Sequence, residues 1–375
     1  MQILPFETEH FFAEYEFNTP YQLCNSDCET MSVAALLDMA DVDFEAFGRL
    51  GLGYTESQGD PTLREGIAGM YGTVKPDEVM VLGTPVEGIY LAARGVLEAA
   101  DEVIVLNPAY DALFNMFAHI VGHDNVRKWE MVAAEGEWQL DFLALETLVS
   151  DKTKLIVVNF PHNPTGYLPT MAELNQLVSI AAEHGIWLFY DEMYYGLVHS
   201  GTAEIPSAAD VYDKSIVLSG LSKTYGLPGL RTGWLIVKDE GLRANLFNWK
   251  FYTSICPPAP SEFLAQVALS VREPIRQRNI GIIERNLGLA EAFFGRWPEL
   301  FVWRRPRAGS VALIEMRVPS VSAFAHTMAR EAGILVHPAV TLGGNDQQLR
   351  MGFGRVAFGE ALGEFERYLE AQFKR

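Results

Sequence analysis

Residues 219–234 read SGLSKTYGLPGLRTGW, and they follow an apolar run that predicts a strand over Ile216–Ser219. The stretch puts Lys223 just beyond the end of that strand, among small residues, and Arg231 eight positions later. A second strand is predicted over Trp234–Val237. Burial of a lysine disfavours its ammonium form and frees the amine lone pair that a Schiff-base nucleophile needs. Taken alone, the pattern also fits a lysine in a solvated surface loop.

Further apolar runs on the N-terminal side of this stretch predict more strands, and helical periodicity lies between most of them. Continuous apolar strands that alternate with helices are typical of a mostly parallel sheet covered on both faces. The sequence therefore predicts an α/β fold with a mostly parallel sheet sandwiched by helices. The strands are predicted at Val79–Leu82, Val103–Leu106, Leu155–Asn159 and Ile186–Tyr190, and the helices at Val86–Leu97, Asp111–Val121 and Met171–His184.

The chain divides by pattern into three parts. We expect an N-terminal segment over residues 1–48, a large α/β domain over 49–275 and a smaller α+β domain over 276–375. Residues 241–295 predict long helices with an interruption near Pro257 and Pro258. Beyond them, strands are predicted near Val311–Glu315, Ile334–Val336 and Leu349–Phe353, and helices at Ser320–Glu331 and Gly359–Phe373.

Charge and composition exclude several classes of function. The chain has 375 residues, with 29 Lys and Arg against 48 Asp and Glu, so its net charge of −19 argues against nucleic-acid binding. No apolar run reaches the ~20 residues that a bilayer span needs, and the first residues lack the pattern of a signal peptide. Three cysteines cannot build a disulfide framework, and no metal-ligand spacing accompanies them. We expect a cytoplasmic protein with neither a membrane segment nor a metal.

Polar or aromatic residues follow five of the predicted strands directly. Ligands of parallel α/β sheets bind outside the carboxyl ends of the strands. Polar residues scattered over a surface would rarely follow five strands at the same position. We therefore expect these residues to form one site. They lie in Thr84–Glu87, Asn107–Tyr110, Asn159–Gly166, Asp191–Tyr194 and Ser219–Lys223.

Together these stretches closely resemble the signature of the class I/II aminotransferases, which are fold-type-I enzymes that use pyridoxal 5′-phosphate (PLP). The resemblance runs from about Gly53 to the C-terminal helix. It implies the fold of that family and PLP as the cofactor. It also implies that Lys223 forms an aldimine with PLP and then carries the proton between the substrate carbon and the cofactor.

The resemblance assigns a role to each residue that surrounds the cofactor ring. Asp191 is implied to pair with the pyridine nitrogen, which favours the protonated ring that accepts electrons. Asn163 and Tyr194 are implied to hydrogen-bond to the phenolic oxygen of the ring. Tyr110 is implied to stack on the ring.

The cofactor phosphate is implied to lie at a helix N-terminus, where free backbone N–H groups favour an anion. Family members usually carry a small triplet with free N–H groups at this point. Pro85 departs from that pattern because proline has no N–H, which leaves one expected donor missing. The residues implied for the phosphate are Thr84, Pro85, Val86, Ser222 and Arg231, with Ser219 as a further candidate.

The resemblance also suggests how the substrate and a second subunit take part. Arg350 is implied to hold the α-carboxylate of the substrate, with Asn163 beside it. Arg355 is the second candidate for this role, and we expect it instead to be a surface or salt-bridged arginine. Tyr54 is implied to reach the phosphate of a neighbouring subunit, which predicts a homodimer with shared active sites.

The reaction that this resemblance favours is transfer of an amino group between an L-amino acid and a 2-oxo acid. The same residues would also serve elimination and cyclisation, decarboxylation or C–S cleavage. A non-catalytic regulator of this fold would carry an added DNA-binding domain, for which the residues before Gly53 offer no room.

An acidic N-terminal segment bears on the substrate. The first 48 residues hold ten acidic residues and no Lys or Arg. In this family the segment that contains Tyr21–Glu29 usually folds over the mouth of the active site. An acidic mouth would attract a basic side chain, although an ordinary acidic surface fits the composition equally well. With Tyr252–Cys256 and Pro260–Glu262, this segment faintly resembles enzymes related to capreomycidine synthase, which act by elimination and ring closure on an arginine derivative.

Overall fold

The computed structural model describes residues 3–134 and 136–373. The strands in chain order are β1 (Tyr21–Gln22), β2 (Val79–Leu82), β3 (Glu102–Asn107), β4 (Val126–Ala134), β5 (Glu137–Leu140), β6 (Thr153–Asn159), β7 (Trp187–Asp191), β8 (Ser215–Gly220), β9 (Gly233–Ile236), β10 (Phe301–Val302), β11 (Val311–Met316), β12 (Ile334–Leu335), β13 (His337–Pro338) and β14 (Gln348–Gly352).

The α-helices lie before, between and after these strands. They are α1 (Glu7–Tyr15), α2 (Val33–Met39), α3 (Phe44–Gly48), α4 (Pro61–Ala68), α5 (Pro85–Val96), α6 (Ala112–Val121), α7 (Phe142–Leu148), α8 (Met171–Glu183), α9 (Ala208–Val211), α10 (Glu240–Phe251), α11 (Ala259–Ser270), α12 (Arg272–Arg296), α13 (Val321–Ala332) and α14 (Phe358–Phe373).

An eight-stranded sheet with the order β2-β9-β8-β7-β6-β3-β4-β5 forms the centre of the larger part. Neighbouring strands from β8 through β4 run parallel, whereas β9 is antiparallel to β2 and β8, and β5 is antiparallel to β4. Every residue of β2, β3 and β8 is buried, which is why these strands are apolar runs rather than alternating ones. The predicted α/β fold with a mostly parallel sheet is confirmed.

The predicted central strands agree with the observed ones to within about two residues, but the sequence analysis missed β4 and β5. Arg127, Lys128 and Glu130 interrupt the apolar pattern of β4, and these side chains are exposed in the first part of the strand, which β5 does not cover because it pairs only with residues 131–134. A strand with one open side needs an apolar residue only where it covers the core, so its sequence lacks a continuous apolar run.

A smaller unit follows, built on the antiparallel sheet β10-β11-β14-β13 and on α12, α13 and α14. Its apolar cluster includes Phe293, Phe353 and Phe365, and all three are fully buried. The predicted division at residue 275 falls within the first turn of α12, and the three-part division remains a prediction. Within the described parts of the chain, no helix is both long and apolar enough to cross a membrane.

The N-terminal segment packs on this smaller unit. Strand β1 pairs in parallel with β12, and Leu23 and Cys28 belong to the same apolar cluster. Phe11 of α1 contacts His326 edge-on and Tyr15 contacts it with a tilted ring, and Tyr15 Oη lies 2.7 Å from His326 Nδ1. In addition, Thr8 N donates to Asp111 Oδ2 of the large unit at 3.2 Å. Helix α1 therefore bridges the two units.

Candidate active site

A cavity of about 590 Å³ opens where the carboxyl ends of the central strands face the smaller unit. The structure brings eleven of the thirteen predicted site residues to its wall. They are Thr84, Pro85, Val86, Tyr110, Asn163, Asp191, Tyr194, Ser222, Lys223, Arg231 and Arg350.

Lys223 lies in the loop after β8, where the polypeptide turns back toward β9. Its Nζ donates to Ser26 Oγ at 2.8 Å. Burial lowers the pKa of this amine, and the positive charge of Arg350 acts in the same direction, while Asp27 opposes them. The neutral amine is the nucleophilic form, so this environment suits Lys223 to form a Schiff base.

Asp191 is the last residue of β7, and its buried carboxylate is held in place by the backbone. Its Oδ1 accepts from the N–H of Met193 at 2.9 Å, and Asn159 Nδ2 donates to the Asp191 carbonyl at 2.8 Å. Burial raises the pKa of Asp191 to about 7, although the Met193 N–H lowers it in part. A buried carboxylate is stabilised in its charged form by a cationic partner, and a protonated pyridine ring is such a cation.

Two buried hydroxyl groups in the wall lack a hydrogen-bond partner among the described residues. They are Tyr194 Oη and Ser222 Oγ, and both residues line the cavity. A buried polar group without a partner costs free energy, so these two are suited to a polar ligand that supplies one. With Lys223 and Asp191, they match what a phosphorylated pyridine aldehyde requires, so the residues present fit PLP.

The N-terminus of α5 forms the wall near Ser222. Pro85 is at the first position of the helix, where a missing N–H breaks no helical hydrogen bond. Thr84 Oγ1 accepts from Arg231 Nη2 at 2.7 Å, and Arg231 itself has the left-handed backbone conformation (φ 51°). A Cβ at Gly233 would lie 2.9 Å from Pro85 Cγ, so only glycine lets this helix approach so closely.

The departure of Pro85 from the family pattern reduces the backbone donors at this helix end. The N–H of Gly83 is already bonded to Glu87 Oε2 at 3.0 Å, and the N–H of Glu87 donates to the Thr84 carbonyl at 3.1 Å. An anion here therefore has fewer backbone donors than the family pattern offers, and the hydroxyl of Ser222 and the guanidinium of Arg231 add to those that remain.

Tyr110 contributes its ring to the cavity wall and its hydroxyl to the N-terminal helix. Tyr110 Oη donates to Glu9 Oε1 at 2.9 Å, and its ring centroid lies 5.3 Å from that of Phe6. Burial, reinforced by the negative charge of Glu9, raises the pKa of Tyr110. The tyrosine is therefore a neutral donor that links α1 to the large unit.

Arg350 on β14 is 1% exposed and contacts both units. Its Nη1 donates to Asn163 Oδ1 at 3.2 Å and its Nη2 to the Cys24 carbonyl at 3.0 Å, while its Nε has no partner among the described residues. Arg355, the alternative, forms an ion pair in which Nη2 lies 3.0 and 2.8 Å from the two Asp27 oxygens. Arg350 is thus the better placed of the two to bind a carboxylate.

Ser219 and Tyr54 do not line the cavity. Ser219 Oγ donates to the carbonyl of Glu192 at 3.1 Å, so its hydroxyl is used within the sheet. Tyr54 is 92% exposed and contributes nothing to the site of its own chain.

The predicted acidic segment does reach the cavity, where Asn25, Ser26 and Asp27 form part of its wall. Its path depends on glycines in the smaller unit. A Cβ at Gly352 would lie 1.7 Å from the carbonyl oxygen of Asn25, so no other residue would allow the segment to cross β14 there.

Sequence analysis missed a further part of the wall, which belongs to α1 and its ends. The spacing i, i+3, i+7 places residues on one helix face, and it is the spacing of Glu9, Phe12 and Glu16. This pattern could have predicted that the three residues face the same side. It was not recognised because two of the three residues are charged. The residues from this region that line the cavity are Phe6, Thr8, Glu9, Phe12 and Glu16.

Metal binding has no support in the described parts of the chain, which contain no group of three or more His, Cys, Asp or Glu residues suited to one ion. Cys24 and Cys28 are buried and not disulfide-bonded. Burial raises the pKa of Cys24 to about 12, so this thiol is unreactive at neutral pH.

Comparison with known proteins agrees with this site. Residues 22–368 match the family model for aminotransferase class I and II, and the chain belongs to that family. It is therefore a PLP-dependent enzyme of fold type I, as the sequence predicted.

The individual relatives catalyse more than one reaction. The chain is 31% identical to capreomycidine synthase of Streptomyces vinaceus over 83% of this chain and 81% of that one. It is 29% identical to an aspartate aminotransferase of Thermotoga maritima over 62% and 63% of the two chains.

Solved structures show the same division. A PLP-dependent aminotransferase from Streptococcus suis superposes with a TM-score of 0.92 at 27% identity and covers 99% of both chains. The PLP-dependent cyclase OrfR superposes with a TM-score of 0.90 at 25% identity, covering 99% of this chain and 98% of that one.

Proposed function

We propose that the protein is a PLP-dependent aminotransferase that transfers an amino group between an L-amino acid and a 2-oxo acid. The observation that carries this proposal is that Lys223, Asp191 and Arg350 line one cavity. These residues supply the nucleophile, the partner for the ring nitrogen and the group that binds a substrate carboxylate. PLP, when bound, supplies the electron sink that makes the α-proton of an amino acid acidic.

In this proposal, Lys223 has two tasks. Its amine would hold the cofactor covalently, and its Nζ would accept the α-proton of the substrate and return it. Both tasks need a neutral amine, which burial of Lys223 favours. Tyr194 and Asn163 would hold the cofactor ring through its phenolic oxygen.

Arg350 binds and orients the α-carboxylate of the substrate. Its guanidinium is a planar fork that matches the two oxygens of a carboxylate. The contacts with Asn163 and Cys24 hold this fork in one orientation, and Nε is without a partner. A fixed donor pair sets the geometry of the α-carbon before the proton is moved.

A second candidate function is PLP-dependent elimination and cyclisation. Similarity to capreomycidine synthase over most of both chains favours it, as does the high structural similarity to a cyclase. The residues named above serve both reactions, because both begin with removal of the α-proton. The difference lies in what happens to the substrate side chain.

The test is a panel of L-amino acids mixed with the holoenzyme without any 2-oxo acid. Transamination predicts that one class of amino acid abolishes the visible absorbance of the cofactor and releases one equivalent of 2-oxo acid. Cyclisation predicts that the absorbance returns and that no 2-oxo acid forms. If no amino acid changes the absorbance, both candidate functions are wrong.

We also propose that the enzyme is a homodimer in which Tyr54 contributes to the site of the partner. An exposed group of apolar side chains near Tyr54 supports this proposal. Leu52 and Tyr252 are 82% and 90% exposed, and Thr55 Oγ1 donates to the Pro257 carbonyl at 2.8 Å, which holds the two segments together. Such a patch is stabilised by burial against a second copy.

A further inference from the structure

One helix face in the cavity has no role in holding the cofactor. Glu9, Phe12 and Glu16 line the same cavity as Lys223 and Arg350. Their spacing puts all three on one face of α1 and its C-terminal end, with Phe12 and Glu16 half-buried and Glu9 exposed. This face is therefore available to a substrate.

The two glutamates of this face have no cationic partner among the described residues. Glu9 accepts one hydrogen bond, from the neutral hydroxyl of Tyr110. Burial raises the pKa of Glu16, and the charges of Asp27 and Glu9 raise it further, while the charges of Lys223 and Arg355 lower it only in part.

The cationic groups of the cavity wall form their hydrogen bonds or ion pairs with other residues. Lys223 donates to Ser26, and Arg355 forms an ion pair with Asp27. Arg231 donates to Thr84, and Arg350 donates to Asn163 and to the backbone of Cys24.

A second and independent observation indicates that this space receives a ligand. Arg350 is 99% buried, and its Nε has no partner among the described residues although it belongs to the cavity wall. Its Cζ lies 5.9 Å from the centre of the Phe12 ring, which stands between the two glutamates along the helix. A carboxylate bound at Arg350 would therefore have Phe12 beside it and the glutamates on either side along α1.

From this arrangement we infer that the enzyme selects α-amino acids with a cationic side chain, and that Glu9 and Glu16 bind the guanidinium or ammonium group. The inference rests on the proposed function, since it names the substrate class of that reaction. Arg350 binds the α-carboxylate, Phe12 packs on the aliphatic part of the side chain and the glutamates supply the negative charge. Acidic side chains are repelled, because both glutamates would face them.

The test compares amino acids that differ in charge and little in shape. The holoenzyme is titrated by calorimetry with L-arginine and L-citrulline, and with L-lysine and L-norleucine. Each cationic member should bind at least about tenfold more tightly than its neutral partner, because a charge-assisted contact is worth roughly 1.5–3 kcal/mol and each tenfold is about 1.4 kcal/mol. The larger of the two ratios shows whether a guanidinium or an ammonium is preferred.

Variants then assign the preference to the two glutamates. Glu9→Gln and Glu16→Gln should each reduce the ratio several-fold, and the double variant should bring it close to one. Glu7→Gln is the matched control, because Glu7 is on the same helix and exposed but does not line the cavity. It should keep the wild-type ratio. Binding of neutral amino acids should change little in any of the variants.

A ratio near one in the wild-type protein would overturn the inference, as would an unchanged ratio in the double variant. These titrations use holoenzyme reduced with borohydride, in which the bond between the cofactor and the protein can no longer exchange with an amino acid, so the binding ratio does not depend on turnover. The absorbance of the cofactor is followed in parallel samples of unreduced holoenzyme. If neutral and cationic amino acids change the cofactor absorbance alike, the proposed function stands and the inference is wrong. If cationic amino acids bind selectively but no absorbance changes, the inference stands and the proposed function is wrong.

Discussion

The cavity has two walls of different origin. One wall consists of residues at the carboxyl ends of the central strands, such as Asp191 and Lys223, and the other consists of α1 with the segment around Asp27. The strand-end wall is built on β7 and β8, in which every residue except Trp187 is buried, so its side chains have fixed positions. The α1 wall is joined to the large unit by hydrogen bonds such as those of Thr8 with Asp111 and of Tyr110 with Glu9.

This difference suggests a division of labour. Groups that move protons need fixed positions, because a small displacement lowers the rate steeply. Groups that recognise a side chain act through charge, which falls off gradually with distance. We therefore expect changes in the strand-end wall to affect kcat, and changes in the α1 wall to affect the choice of substrate.

The largest effect is expected from Lys223→Ala. The variant loses both the attachment point of PLP and the proton carrier, and proton transfer alone contributes about 10²–10⁴-fold to a rate. Turnover should therefore fall by roughly 10⁴-fold or more, measured as the rate of product formation. PLP should still bind through Asp191 and Arg231, without covalent attachment. A borohydride-reducible adduct of PLP with the variant would show that another amine is the nucleophile.

Asp191→Asn should lower kcat strongly while it leaves KM within a few-fold. Removing one partner of a buried ion pair costs about 3–5 kcal/mol, which corresponds to roughly 10²–10⁴-fold in rate. Steady-state kinetics with saturating PLP measure the effect. A kcat close to that of the wild type would exclude a role for Asp191 in the electron sink.

The same residue should make the stability of the apoprotein depend on pH. Burial raises the pKa of Asp191 to about 7, above the value of about 3.9 in an unfolded chain. The stability that this group contributes is fully present below pH ~4 and is lost as the pH rises through ~7, by up to about 4 kcal/mol. Urea unfolding of the apoprotein between these pH values should show this decline.

Asp191→Asn should flatten that decline in part. Asp111 and Glu192 also have raised pKa values, of about 6 and 8, because they are buried, so some slope remains. Asp213→Asn, at an exposed carboxylate, is the control and should retain the wild-type slope. An identical slope in wild type and Asp191→Asn would contradict the prediction.

Arg350→Lys should raise the KM for the amino acid by about 10–100-fold, because an ammonium cannot replace the two-pronged contact worth roughly 1.5–3 kcal/mol. Arg355→Lys is the comparison, since Arg355 is paired with Asp27 and should affect KM less. Substrate titration of both variants decides between them. A larger effect in Arg355→Lys would move the carboxylate site to that residue.

The smallest signal is expected from mixing two inactive variants to test the shared site. Lys223→Ala and Tyr54→Ala subunits are combined under conditions that exchange subunits. One site of each mixed dimer then carries both defects and the other carries neither, so activity should approach about a quarter of that of wild type. No recovery, with exchange demonstrated by mass, would show that Tyr54 serves its own chain.

Much of the fold could be predicted because the central strands are continuous apolar runs that end in characteristic residues. The same reasoning missed β4, whose charged residues belong to a sheet edge. The strand-end residues of the site could be predicted as a group, because parallel strands bring their carboxyl ends to one edge. Ser219, in contrast, does not line the cavity, and no local pattern distinguished it from residues that do. Tyr54 was predicted for the site of the partner subunit, and this remains a prediction.

The sequence by itself determined the strand-end wall, since Lys223 and Asp191 each follow directly from a strand that local apolar residues specify. Only the tertiary structure decided that α1 closes the cavity. Its docking depends on contacts between residues far apart in the chain, such as Tyr15 with His326 at 2.7 Å across 311 positions. Local periodicity shows which face of a helix can be buried, but not which distant surface will bury it. For this reason the residues proposed for catalysis could be predicted from the sequence. The position of Glu9 and Glu16, which we infer select the substrate, was decided only by the tertiary structure.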